Sequence, residues 1–222
     1  MQMTKLLFET QMFALWTLND VRELLKRFKS QVFGYALVEA QFESIMAFKP
    51  DVAKTISLEL LFEILDSNHD GRLDGLELLG GLTMCCQASF EEKAKFCFEV
   101  YDFNLNSTLS KTELVMMMVS CISGIYLLAG GGEEAHVDVA EFEKVTDDAF
   151  MRVDCGTDGV MSYDQFVMWA RSNREVMAAI DSLNKLAAAA KDDISSEDSA
   201  DELHEDGVCV CIYLITCFIS LF

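Results

Sequence analysis

The sequence predicts an all-α protein in which helix–loop–helix units repeat along the chain. A twelve-residue segment at 66–77, D-S-N-H-D-G-R-L-D-G-L-E, has oxygen-bearing side chains at regular positions and a glycine at its centre. A second segment of this kind begins 36 residues later. Apolar residues flank both segments at helical spacing, and the single proline leaves the helices uninterrupted.

The segment 66–77 has the residue order of a calcium-binding loop. Such a loop takes oxygen ligands from positions 1, 3, 5, 7 and 9 and from a bidentate glutamate at position 12. A glycine at position 6 permits the sharp turn, because that turn needs a positive φ. The predicted ligands are Asp66, Asn68, Asp70, the carbonyl of Arg72, Asp74 and Glu77. This order resembles that of the EF-hand family.

A weaker site is predicted at 102–113. Its ligands would be Asp102, Asn104, Asn106, the carbonyl of Thr108, Ser110 and Glu113. Ser107 occupies the glycine position, where a side chain costs roughly 1 kcal/mol. Only two of the ligands are carboxylates, against four in the first loop, so the attraction for a divalent ion is smaller.

Two further loops are degenerate. Residues 29–41 contain one acid, Glu39, at a position that does not bind metal, which indicates a hand that keeps its fold without an ion; an unrelated helical hairpin is the alternative. In residues 154–165 the position-3 ligand is replaced by Gly156, and a neutral amide replaces the bidentate glutamate. The residues still available there are Asp154, Asp158, Ser162 and Gln165, and we expect this loop to be empty or very weak.

Pairing of the four hands predicts two lobes, because a single hand cannot bury its apolar face alone. Short antiparallel strands should join the loops of each pair, with Leu37 opposite Leu73 and Leu109 opposite Met161. The predicted divisions are an N-terminal lobe at residues 1–87, a C-terminal lobe at 88–190, an acidic disordered linker at 191–206 and an apolar tail at 207–222.

Composition excludes some functions. The net charge of −20 would repel nucleic acid, so no nucleic-acid partner is expected. Eight cysteines without a secretory signal predict free thiols in a reducing, cytoplasmic compartment. Because no grouping of residues suggests a nucleophile with its base, we do not expect an enzyme.

The C-terminal tail has three interpretations. Eight acids in the sixteen residues of 191–206 predict a self-repelling linker. Val208 to Phe222 is almost wholly apolar, but fifteen helical residues would span only about 22 Å of the ~30 Å hydrocarbon core. A membrane anchor, a segment that docks into the protein's own groove, and a non-functional extension all remain open.

The stretch F-E-E-K-A-K-F-C-F-E-V-Y-D-F-N at 90–104 resembles the join between the second and third hands of neuronal calcium sensors, recoverin-like or calaxin-like. The resemblance implies a Ca²⁺ switch in which a position-12 glutamate pulls on the exiting helix and opens an apolar groove for a helix of a target protein. The groove residues would be Leu78, Leu82, Met117 and Met118, although plain core packing also explains the methionines. A calcium buffer and a constitutive subunit of a ciliary, axonemal assembly are the alternatives.

Overall fold

The structure is a computed structural model that describes residues 13, 15–66, 68–128, 138–155, 159–174, 176–178, 180–181 and 183–185. The predicted acidic linker and apolar tail lie outside these residues. The helices are α1 (Leu18–Gln31), α2 (Glu39–Met46), α3 (Pro50–Thr55), α4 (Leu58–Leu65), α5 (Gly75–Cys85), α6 (Phe90–Tyr101), α7 (Lys111–Leu128), α8 (Val139–Arg152) and α9 (Tyr163–Ser172). The strands are β1 (Ala36–Leu37), β2 (Leu73–Asp74), β3 (Thr108–Ser110) and β4 (Val160–Ser162). Further helical residues lie between 174 and 185.

The predicted loop pairings are confirmed. β1 runs antiparallel to β2 with Leu37 opposite Leu73, and β3 runs antiparallel to β4 with Leu109 opposite Met161. All four of these side chains are buried. Each position-8 residue therefore closes the core beneath its own pair of loops, and the fold is that of paired helix–loop–helix hands.

The N-terminal half encloses an aromatic and aliphatic core. α1 begins at a capping box, in which the Asp20 N–H donates to the Thr17 hydroxyl and the Asp20 carboxylate accepts from the Thr17 N–H. Phe42 of α2 and Phe62 of α4 meet in the core with their ring centroids 5.7 Å apart. The buried face of α1 repeats at helical spacing: Leu18, Val21, Leu24 and Phe28.

The C-terminal half is built around Phe98 of α6. Its ring contacts Tyr163 edge to face at 5.4 Å between centroids and Phe166 at 6.0 Å. A capping box between Ser89 and Glu92 fixes the start of α6. The loops 102–113 and 154–165 are thereby held at one end of this core.

The two halves are joined by close contact between α5 and α7. A Cβ atom placed on Gly124 would lie 1.9 Å from the carbonyl oxygen of Glu77, and one placed on Gly81 would lie 2.4 Å from the Gly124 carbonyl oxygen. No side chain fits at such distances, so the two exiting helices touch through their backbones. The sequence patterns did not predict this contact.

Side chains also cross the predicted boundary between residues 87 and 88. The Tyr101 hydroxyl donates to the carbonyl of Leu76 at 3.0 Å, and Leu76 itself packs in the C-terminal core. Phe96 and Leu128 pack in the N-terminal core instead. The two halves therefore also share side-chain contacts, one of them next to the loops 66–77 and 102–113.

Within the described residues, α7 is the one helix with the length and apolarity of a membrane span. Half of its 18-residue window is buried inside the protein. Since α7 packs on α5 through glycine, these properties are those of a core helix.

Candidate calcium sites

The loop 66–77 is organised by the carboxylate of its first residue. Asp66 is buried, and its two oxygens accept the N–H groups of Asp70 at 3.2 Å and Gly71 at 2.9 Å. The Asn68 side-chain oxygen accepts the Asp70 N–H at 3.1 Å, and an Asp70 oxygen accepts the Arg72 N–H at 2.8 Å. The loop backbone therefore wraps around the side chains at positions 1, 3 and 5.

The loop 102–113 repeats this network bond for bond. Asp102 oxygens accept the N–H groups of Asn106 at 3.1 Å and Ser107 at 2.8 Å. The Asn104 oxygen accepts the Asn106 N–H at 3.0 Å, and the Asn106 oxygen accepts the Thr108 N–H at 2.8 Å. The residues at positions 6 and 7 differ between the two loops, so the shared geometry reflects the acceptors at positions 1, 3 and 5.

Both loops turn through the left-handed region at the same two positions. At position 4, φ is +55° for His69 and +56° for Leu105; at position 6 it is +75° for Gly71 and +62° for Ser107. Only Gly71 adopts this conformation without a steric cost. Leu105 and Ser107 make the backbone of the loop 102–113 more strained than the pattern of ligands alone indicates.

Exchanging the position-6 residues is expected to shift stability in opposite directions. Ser107→Gly should raise the free energy of unfolding by roughly 0.5–1 kcal/mol, and Gly71→Ser should lower it by a similar amount. Urea denaturation in a calcium chelator measures both variants. Shifts of the same sign would show that backbone strain at position 6 does not govern these loops.

Glu113 already reaches across its loop. One carboxylate oxygen accepts the Phe103 N–H at 3.1 Å and the Asn104 amide at 3.2 Å, and the other accepts the Ser110 N–H at 2.8 Å. It is also buried, at 6% exposure. The position-12 carboxylate thus bonds to the residues at positions 2, 3 and 9, of which Asn104 and Ser110 are predicted ligands.

Asp74 lies differently in the loop 66–77. Its Oδ1 accepts the N–H groups of Leu76 at 2.7 Å and Glu77 at 3.1 Å, and so caps the start of α5. Among the described residues, no three acidic, histidine or cysteine side chains are spaced to hold a metal. The donor set of 66–77 suits Ca²⁺ in type and order, but its carboxylates must converge when the ion enters.

The loop 154–165 is closed by an amide. The Gln165 Nε2 donates to the carbonyls of Val153 at 3.2 Å and Asp154 at 3.3 Å, while its Oε1 accepts the Ser162 N–H at 2.9 Å. A carboxylate could not donate these two bonds. Gln165 therefore links the two ends of the loop through its own hydrogen bonds, and an empty or very weak site stays a prediction; Asp158 lies outside the described residues.

Residues 29–41 form a helix–loop–helix turn without a ligand network. Gly34 takes the left-handed conformation, Phe33 is fully exposed, and the Gln41 side chain accepts the Val38 N–H at 3.1 Å. The loop contributes β1 to the pairing with β2. That this is a hand kept for packing without an ion stays a prediction.

The four predicted groove residues do not lie together in this structure. Leu78 and Leu82 are buried in the N-terminal core, at 1% and 0% exposure. Met117 and Met118 line a separate cavity in the C-terminal half. A single groove through all four is therefore absent from the described conformation, and exposure of the two leucines remains a prediction about the calcium-bound state.

Two features of the site were not predicted from the sequence. Gly124 touches the backbone of Glu77, a predicted ligand residue, and Lys93 is buried in the wall of the C-terminal cavity. Glycine inside a helical pattern and lysine next to other charges carry no signal of such a position. The only trace of Lys93 is that it falls on the apolar face of α6 with Ala94 and Cys97.

Comparison with known proteins supports the class of calcium-binding protein that the sequence predicts. No family model matches the chain. It is 28% identical over 158 residues to guanylyl cyclase-activating protein 2 of Lithobates pipiens, which covers 71% of this chain and 80% of the relative. It is 32% identical over 128 residues to a recoverin family protein of Dictyostelium discoideum, covering 54% of this chain and 57% of that protein. Guanylyl cyclase-activating protein 2 of Gallus gallus is 27% identical over 71% of this chain and 79% of its own length.

With the fold, the loop chemistry and these relatives together, the protein is defined as a calcium-binding protein built from EF-hands. In sequence the chain is similar to EF-hand calcium sensors of the recoverin-like, four-hand type.

Proposed function

We propose that this chain is a calcium sensor in which the loops 66–77 and 102–113 bind Ca²⁺. Binding of the ions exposes an apolar surface that binds a helix of a target protein. The observation that supports the proposal is the hydrogen-bond network that the two loops share. In both loops the side-chain oxygens at positions 1, 3 and 5 face the loop backbone, and a glutamate occupies position 12. The loop 154–165 takes no ion, because Gln165 already satisfies the groups that a metal would bridge.

The position-12 glutamates act on the two helices that join the halves. Glu77 lies in the first turn of α5, and Glu113 lies in the first turn of α7. When a glutamate moves to meet its ion, it carries the start of its helix with it. For Glu77 this movement competes with the cap that Asp74 provides, so the first turn of α5 is the part that changes most.

Because α5 and α7 touch through their backbones, neither can move alone. The Glu77 carbonyl lies against Gly124, and the Tyr101 hydroxyl holds the Leu76 carbonyl beside the start of the second loop. An ion bound at 66–77 thus shifts the helix that follows 102–113. We expect the two loops to bind calcium cooperatively for this reason.

Calcium is expected to increase the binding of an apolar dye and of a target-like helix. The test compares the fluorescence of 8-anilinonaphthalene sulfonate, and the affinity for an amphipathic helical peptide, in calcium and in chelator. The matched control is the double variant Glu77→Gln, Glu113→Gln, which should not respond to calcium.

Two outcomes would indicate a function other than calcium sensing. Calcium uptake with unchanged dye fluorescence describes a buffer. Peptide binding that is equal in calcium and in chelator describes a constitutive subunit.

A further inference from the structure

The C-terminal half contains a cavity of about 120 Å³ between α6, α7, α9 and the helical residues near 180. Its wall is apolar, with Met117, Phe166, Trp169 and Ile180 among the lining residues. Cys97 also lines it, and a hydrogen bond with Cys121 together with burial raises the pKa of Cys97, so this thiol stays protonated and packs as an apolar group. The lining of the cavity therefore suits an apolar group, and one lining residue is an exception.

That exception is Lys93. The residue is 1% exposed, and its Nζ donates to the Met84 carbonyl at 2.8 Å and to the Asn184 side-chain oxygen at 2.7 Å. An ammonium group has three donors, and both acceptors here are neutral. No ion pair within the described part of the chain includes Lys93.

Burial without a carboxylate is costly for this amine. Desolvation lowers the pKa of Lys93, while the nearby thiols of Cys86 and Cys85 act in the opposite direction. A charge-assisted hydrogen bond to a carboxylate is shorter and about twice as strong as one to a neutral amide. Replacing the amide at the position of Asn184 by a carboxylate would therefore strengthen the hydrogen bond with Lys93 considerably.

The segment that provides Asn184 packs on the C-terminal half along one apolar face. Of its described residues between 174 and 185, Ile180 and Leu183 are buried, whereas Ala178, Asp181 and Lys185 are exposed. Ile180, Leu183 and Asn184 follow the i, i+3, i+4 spacing of one helix face. A separate helix that took the place of this segment, with the same apolar face and an acid in the last position, would make these contacts and add an ion pair with Lys93.

We propose that Lys93 is the specificity residue of this cavity, and that it selects a partner helix with two apolar anchors at i and i+3 and an aspartate at i+4. This inference rests on the proposed function and names the chemistry of its target. Because the whole protein carries a net charge of −20, a generally acidic helix would be repelled. The partner is therefore a neutral or basic amphipathic helix with one carboxylate on its apolar face.

Three fluorescent peptides test the proposal against the full chain in calcium. The first copies residues 172–187, the second carries Asn184→Asp, and the third carries the same added charge at an exposed position, Ala178→Asp. The Asn184→Asp peptide is expected to bind about tenfold more tightly than the first, because a hydrogen bond between ions replaces one to an amide. The Ala178→Asp peptide should show no gain.

Two protein variants isolate Lys93. In Lys93→Met the preference for the aspartate peptide should disappear, while the first peptide still binds. In the full chain with Asn184→Asp, the segment's own acid should occupy Lys93 and weaken binding of the aspartate peptide about tenfold; this variant keeps the test valid even where Lys93→Met does not fold.

The possible failures are separable. Equal affinities of the first two peptides for the unaltered chain, or no binding of either, would overturn the assignment of Lys93. A tenfold preference that is the same in calcium and in chelator would uphold Lys93 and overturn the calcium switch. An affinity that depends on calcium, without a preference for the aspartate peptide, would uphold the calcium switch and overturn the assignment of Lys93.

Discussion

Glu77→Gln is expected to weaken calcium binding at the loop 66–77 by about a hundredfold, out of the sensor range of about 10⁻⁷ to 10⁻⁵ M. Glutamine offers one neutral oxygen where glutamate offers two that share a charge. The ion would then lack the ligand that joins the loop to α5, and the helix would keep the Asp74 cap seen in the structure. Calorimetric titration with Ca²⁺ measures the loss.

The matched control is Gln165→Ala at the same position of the loop 154–165. Gln165 makes hydrogen bonds to Val153 and Asp154, so its loss should lower stability slightly without changing calcium uptake. Glu113→Gln should also weaken calcium binding at its own loop. The loss should be smaller than for Glu77→Gln, because the unaltered loop 102–113 is predicted to bind calcium less tightly. Equal losses of calcium in the Glu77 and Gln165 variants would show that the ligands have been assigned to the wrong loops.

Gly124→Ala is expected to lower the free energy of unfolding by about 3 kcal/mol, the upper end of the usual cost of overpacking. The added methyl group would meet the Glu77 carbonyl and the Gly81 backbone, and a backbone cannot step aside as a side chain does. Intrinsic helix propensity has the opposite sign, since alanine is favoured over glycine in a helix by about 1 kcal/mol. The direction of the change therefore decides between contact and propensity.

Urea denaturation of Gly124→Ala and of the adjacent Ser123→Ala provides the comparison. Ser123 is only partly buried, and its variant should stay close to the unaltered protein. Calcium titration of Gly124→Ala should also show two loops that bind independently, because the contact that couples them is gone. A variant as stable as the parent, with cooperativity intact, would rule out the backbone contact.

The loops were predictable from the sequence because their chemistry is local. Each ligand, the glycine at position 6 and the apolar residue at position 8 are fixed by spacing within twelve residues, so the register of Leu37 with Leu73 and of Leu109 with Met161 followed. The sequence also predicts a degenerate loop at Gln165, since an amide cannot bind an ion through two oxygens. Its donation to two backbone carbonyls required the structure.

The contacts between the halves could not be predicted in the same way. Gly81 and Gly124 lie 43 positions apart, and a glycine in a helix gives no hint of which backbone it faces. Leu78 and Leu82 have the spacing of a groove face and of a core face alike, and in this structure they belong to the core. The buried Lys93 donates to Asn184, which is distant in the chain, so no local pattern reveals this contact.

The most direct test of the account is a calorimetric titration of the unaltered chain with Ca²⁺, together with the double variant Glu77→Gln, Glu113→Gln. We predict that the unaltered chain takes up two ions, and that the double variant takes up none in the micromolar range. No uptake by the unaltered chain, or the same uptake by both proteins, would contradict calcium sensing by the loops 66–77 and 102–113.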